Sequence, residues 1–133
     1  MGHSLPAQPV RGRDGWAING ATHASVALFE RAIESLHSDP DTADDLLRQA
    51  LSLSPGCILF HAARSYLLAS GDRAAGPTLH RLFSPLTGDK RTLSHLSILA
   101  AQLDAKQIAA HLGRWPGDRL ALAVQRNIHA KAA

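Results

Sequence analysis

Eight histidines are the residues of this sequence best suited to metal binding or proton transfer: His3, His23, His37, His61, His80, His95, His111 and His129. No two are three or four residues apart, so no single helix presents a histidine pair to a metal ion. The one close pair of ligand type is Cys57 with His61, at i and i+4 on one helix face. A metal there needs ligands from other helices, such as His80 or His95. The plainer reading makes Cys57 a small buried apolar residue and His61 a locally hydrogen-bonded one, with no metal site and no cofactor. Nucleophilic catalysis needs Cys57 or a serine beside a histidine and an orienting acid. The sequence has no Gly-x-Ser-x-Gly elbow and no Gly-rich phosphate loop ending in Lys-Ser or Lys-Thr. Asp41, Asp44 and Asp45 are the densest acidic cluster, and helix capping explains them. With no positive feature for a reaction, the expectation is that the chain is not an enzyme.

The elements that position these residues belong to one domain. The chain has 133 residues, too few for a second full core. Ala occurs 23 times and Leu 20 times, against 9 for Val and Ile together, which favours helices over sheet. A single cysteine excludes an intrachain disulfide and a Cys-based zinc site. The N-terminus lacks a signal-peptide core, and no apolar run approaches the roughly 18–20 residues of a membrane span, so a soluble, cytoplasmic protein is expected. The net charge of +3 is unevenly spread: residues 1–50 hold 7 acids and 4 bases, residues 51–133 hold 4 acids and 10 bases. No cluster exceeds the two adjacent bases Lys90 and Arg91, which suits solvated helix faces.

Residues 1–20, rich in Pro and Gly, read as a tail or lead-in, and 21–133 as a single helical-repeat domain. Val26, Phe29, Ile33 and Leu36 form one stripe of a helix over 22–37, with Thr22 as its cap. Pro40 biases Asp39 away from helical geometry, and a second helix over 41–53 starts with Asp41 as cap. Further helices are expected over 57–69, 73–83, 89–103, 105–112 and 119–130. Asp72, Asp104 and Asp118 serve as caps, and Pro77 kinks the fourth helix or starts a fresh one. Short turns between helices of this length mean stacked antiparallel hairpins, an all-α fold. There is a faint internal echo: Pro55-Gly56 and Pro116-Gly117 each precede two residues, a Leu, two more residues and an Ala.

Ala50-Leu51-Ser52-Leu53-Ser54-Pro55 resembles the ending of a tetratricopeptide repeat, and Gly71-Asp72 with Ala74-Ala75 resembles its mid-repeat turn. A closer resemblance is to the N-terminal part of the tetratricopeptide repeat protein 38-like family. It is carried by Asp14-Gly15, by the joint from Ala50 to Gly56 followed by Leu59 and His61, by Leu86-Thr87 with Arg91 and His95, and by Leu112 through Pro116 with Asp118, Leu120, Ala121 and Leu122. It covers about residues 14–124. The resemblance implies a short tetratricopeptide-like array and supplies no catalytic residue set. Family members continue with more repeats where this chain ends at Ala133, which makes it a short relative, a truncated product or a fragment.

The function expected is non-catalytic protein–protein interaction, a helical-repeat scaffold holding a peptide or partner helix. Its partner-binding residues are expected to be His61, Arg64 and His95, on the first helices of hairpins, together with Trp115 at a helix joint. An imperfect polar cap on the last helix makes self-association a further expectation. The alternative is binding of an anionic ligand or nucleic acid through the basic C-terminal half, for which base-stacking aromatics are scarce: Tyr66, Phe83 and Trp115.

Overall fold

The computed structural model describes residues 10–69 and 75–132. It is all-helical: α1 (His23–Ser35), α2 (Pro40–Leu53), α3 (Ile58–Ala69), α4 (Ala75–Phe83), α5 (Lys90–Ala100), α6 (Ala105–Arg114) and α7 (Arg119–Ala132), with a 3-10 turn at Ser84–Leu86 after α4. Among the described residues no helix is long and apolar enough to cross a membrane.

Local chemistry sets the boundaries. Thr22 and Ser25 form a reciprocal capping box at the start of α1, each side chain meeting the other's backbone N–H. Pro40, expected as a stop, is instead the first residue of α2, where a missing N–H costs nothing. Asp39, not Asp41, is therefore the cap, accepting from the Thr42 N–H and hydroxyl. These bonds hold the Asp39 carboxyl below its usual range. Pro77 falls in the first turn of α4, and the expected cap Asp72 lies outside the described residues. Helix α5 is capped by Asp89 and ends earlier than expected, because Gln102 and Leu103 adopt left-handed backbone angles (φ 57° and 62°). Asp104 caps α6 as expected.

Each helix packs on the next, and α1 with α2 make the most extensive contact. The core joins Phe29, Leu36, Leu47, Phe60, Leu96, Leu99, Ile108 and Leu120, all buried. Phe29 and Phe60 meet at 5.0 Å between ring centres. The array also closes on itself, since α5 packs on α3 as well as α4, and α7 packs on α1.

Residues 10–20, expected as tail or lead-in, complete that closure. Arg11 and Ala17 pair as an isolated antiparallel bridge, and Ile18 donates to the Val10 carbonyl at 2.8 Å and is buried. Asp14 accepts from the Arg119 backbone N–H at the start of α7, and Trp16 Nε1 reaches the Pro116 carbonyl at 3.4 Å. Glu30 of α1, itself buried, accepts from the Arg13 N–H and lies 3.7 Å from the Arg119 guanidinium. The N-terminal loop is thus a strap across α1 and α7.

Candidate functional site: a buried carboxylate hub beneath the groove between α5 and α6

Arg91 and His95 lie four apart on α5 and therefore share a face. That face also carries Thr92, Leu96, Ile98 and Leu99, all buried, so a guanidinium and an imidazole are drawn into the core. Helix α6 buries Ile108 and, three residues on, His111. Gly117 adopts a left-handed angle (φ 81°), and the turn it makes delivers Asp118 to the base of α7.

Asp118 does two jobs with two oxygens. Its Oδ1 accepts from the Ala121 N–H at 3.1 Å, the capping role expected from sequence. Its Oδ2 accepts from Arg91 Nη1 at 3.1 Å, His95 Nε2 at 2.9 Å and His111 Nε2 at 2.9 Å. The side chains of Asp118 and both histidines are 0% exposed and that of Arg91 is 5% exposed. Burial alone would raise the Asp118 carboxyl, but the bonds from His111 and His95 and the charge of Arg91 hold it far below the carboxylate range. Arg91 is the counterion of this buried anion, and its Nη2 donates to the Ala17 carbonyl of the strap at 2.9 Å.

The histidines' second nitrogens fix the rest. His95 Nδ1 lies 2.8 Å from the Tyr66 hydroxyl, and burial lowers the His95 basicity. Burial, with the Asp118 charge adding to it, raises the Tyr66 phenol well above its usual value. His111 Nδ1 lies 2.7 Å from Ser94 Oγ. The His95 and His111 rings are 4.2 Å apart, and Trp115 covers His111 at 4.9 Å. No buried side-chain polar atom of the described residues lacks a partner.

His95, His111 and Asp118 offer two nitrogens and an oxygen within 4.8 Å of one another, a donor set of the right type for a divalent transition metal. The charge does not suit one. Arg91 already balances the carboxylate, so a divalent ion would leave two uncompensated positive charges in the core. The cluster is a hydrogen-bond hub.

Above it runs a groove of about 340 Å³ between α5 and α6, lined by Lys90, Leu93, Ser94 and Ser97 on one side and Gln107, Ala110, His111 and Arg114 on the other. Each row falls at positions i, i+3, i+4 and i+7, as one helix face must. Two cations and no carboxylate line it. Of the four acids in the basic half, Asp118 is buried, Asp89 and Asp104 are turned onto helix N-termini, and Asp72 lies outside the described residues.

The four residues expected to bind a partner do not converge. His61 Nε2 lies 2.9 Å from the Pro55 carbonyl, and its ring stacks on Phe83 at 5.0 Å. Arg64 is paired with Asp44 at 2.8 Å. His95 is wholly buried in the hub, which removes it from any docking surface. Trp115, half-buried, caps the end of α6 against His111. Cys57 is buried, as expected, and lies apart from any histidine ligand set among the described residues. Ser94 was missed, and Asp118 was seen only as a cap. A signal was present in α5, where Arg91 and His95 fall on the same stripe as Leu99. No family model, curated protein or solved structure matches the chain.

Proposed function

We propose that this chain is a protein-interaction module that docks an acidic, amphipathic segment of a partner protein in the groove between α5 and α6. The observation that carries the reading is the lining of that groove: Leu93 and Ala110 offer an apolar floor, Lys90 and Arg114 stand free of any ion pair among the described residues, and no carboxylate opposes them. Helices α5 and α6 are joined by a short turn and run back on each other, so Lys90 and Arg114 fall at the same end. A segment with carboxylates at one end and small apolar side chains beyond fits this order. A nucleic acid would ask for more cations and a stacking platform, and the nearby Trp115 ring is engaged with His111. Kinship with the tetratricopeptide repeat protein 38-like family, a cytoplasmic location and self-association through α7, whose Leu122 is exposed, belong to the same proposal.

The test is affinity capture from native lysate with three baits: wild type, Ala110→Trp to fill the groove, and Lys90→Glu/Arg114→Glu to reverse its charge. A discrete protein held by wild type after nuclease, and lost from both variants, supports the reading. Material released by nuclease moves the basic surface to a nucleic-acid role. Equal capture by all three baits removes the groove from the function.

A further inference from the structure

The hub does more than stabilise the core, because one of its members faces the groove. Ser65 and Ser97 each return their hydroxyl to the carbonyl four residues back in their own helix, and Ser84, just past α4, does the same to His80. Ser94 makes no such bond among the described residues, and its Oγ lies 2.7 Å from His111 Nδ1. The direction of that bond follows from the far side of the ring. The ionised Asp118 can only accept, so His111 Nε2, 2.9 Å away, carries a proton. Arg91 already balances Asp118, which disfavours a second cation on His111. The uncharged ring then has a bare Nδ1, and Ser94 must donate to it. A serine hydroxyl, an imidazole and a buried carboxylate are aligned in the order that activates a nucleophile, with the two ring nitrogens exchanged relative to the usual serine-hydrolase arrangement. His95 makes the same bond to Asp118, but its second nitrogen meets Tyr66 inside the core. Only the His111 arm reaches the groove, which Ser94 and His111 both line.

We infer that Ser94 is a base-activated nucleophile on the floor of the α5–α6 groove, one that takes an acyl group from a carboxylic ester bearing a second, anionic group. In the forward step the Ser94 Oγ–H proton passes to His111 Nδ1 as Oγ bonds the ester carbonyl carbon. The C–O bond to the leaving alcohol then breaks, and the proton returns from Nδ1 to the departing alkoxide. Water repeats the sequence to release the acid. Asp118 holds the ring and its tautomer, a positioning role. Lys90, four residues before Ser94 on the same helix, and Arg114 opposite are the groove's cations, one able to meet charge developing on the carbonyl oxygen and the other the substrate's anion. No elbow motif marks this serine because it sits inside a helix, and its partners arrive 17 and 24 residues later.

The experiment uses the intact protein and a fluorophosphonate probe, whose phosphorus bonds the serine oxygen as fluoride leaves. The tryptic peptide 92–106 contains both Ser94 and Ser97, so wild type supplies its own control. Adduct mapped by mass spectrometry is expected on Ser94 at least about tenfold over Ser97. Ser94→Ala abolishes it, and His111→Gln slows it at least about a hundredfold. Absence of adduct, equal labelling of the two serines, or unchanged labelling in folded His111→Gln overturns the inference. Should His111→Gln fail to fold, the Ser94 to Ser97 ratio in wild type decides. Capture of a partner by Ser94→Ala would leave the docking reading standing on its own.

Discussion

Replacing Asp118 by Asn tests the hub directly. The substitution keeps the shape and removes the charge. With the amide oxygen toward Arg91 and the histidines, the NH₂ group opposes the Ala121 N–H. With the amide turned over, NH₂ faces three donors. Either way Arg91, 5% exposed, keeps a buried charge without its counterion. Breaking a buried ion pair from one side costs about 3–5 kcal/mol, and loss of a helix cap about 1 kcal/mol more. The expected loss of about 4–6 kcal/mol is a large part of the roughly 7–15 kcal/mol such a domain has. At about 2.1 cal/mol/K per residue, it lowers Tm by about 15–20 °C. Urea unfolding followed by circular dichroism at about pH 7.5 reads the loss as a shift in midpoint. Adding Arg91→Met to the Asn variant should recover stability, because it removes the orphaned cation. A loss below about 1.5 kcal/mol, or a further loss on adding Arg91→Met, would refute the counterion argument.

Other outcomes follow from the same geometry. The folded His95 has lowered basicity, so the unfolded chain takes up its proton first. Stability should fall as pH drops below the ordinary histidine value of about 6.5, by at most about 1.4 kcal/mol per pH unit, and Asp118 adds a further loss below about pH 4, where the unfolded carboxyl protonates and the folded one does not. Chemical denaturation from pH 8 to pH 3 checks this, and a flat profile between pH 7 and pH 5 would contradict the His95 assignment. Gly20 has φ 81°, and a Cβ there would meet the Cys57 backbone at 3.4 Å, so Gly20→Ala should cost about 1–2 kcal/mol in the same assay. Burial pushes the Cys57 thiol up to about 11; a disulfide reagent at about pH 8 should label it in denaturant and scarcely at all in the native protein. Excess zinc or a chelator should move Tm by no more than about 1 °C, and a rise of several degrees with zinc would show that the hub takes a metal despite Arg91.

Features decided by neighbouring residues were legible in the sequence. Thr22, Asp104 and Asp118 cap the helices they precede because a cap needs only the next three residues. The apolar stripe Val26, Phe29, Ile33 and Leu36 is legible from its spacing, and all four residues are buried. The role of Pro40 is not legible in the sequence, because proline ends a helix from the inside and begins one from the first position, and spacing alone does not tell these apart. The left-handed turn at Gln102 and Leu103 carries no glycine to announce it. The hub was illegible for a different reason. Its donors come from α5 and α6, its acceptor from the start of α7, and Asp118 already had a sufficient local explanation in its capping oxygen. Its second oxygen became informative only when tertiary packing brought Arg91, His95 and His111 to it. Ser94 shares that fate, since nothing within a turn of it distinguishes it from Ser97.

The strap that joins Asp14 to Arg119 and Trp16 to Pro116 spans 105 and 100 residues of chain, and the Arg91–Ala17 bond spans 74. A linear stack of hairpins frays from its ends, because a terminal hairpin touches one neighbour only. Here the loop at residues 10–20 holds α7, so peeling away either α1 with its loop or α7 breaks the bonds that secure the other. Native-state hydrogen exchange in α1 and α7 should therefore share one opening energy close to that of the core, rather than falling off toward the ends. The same long-range closures must wait for Asp118 and Arg119 to emerge during synthesis. The charge of Arg91 finds its counterion late, and the array becomes a single cooperative unit only when its last helix docks.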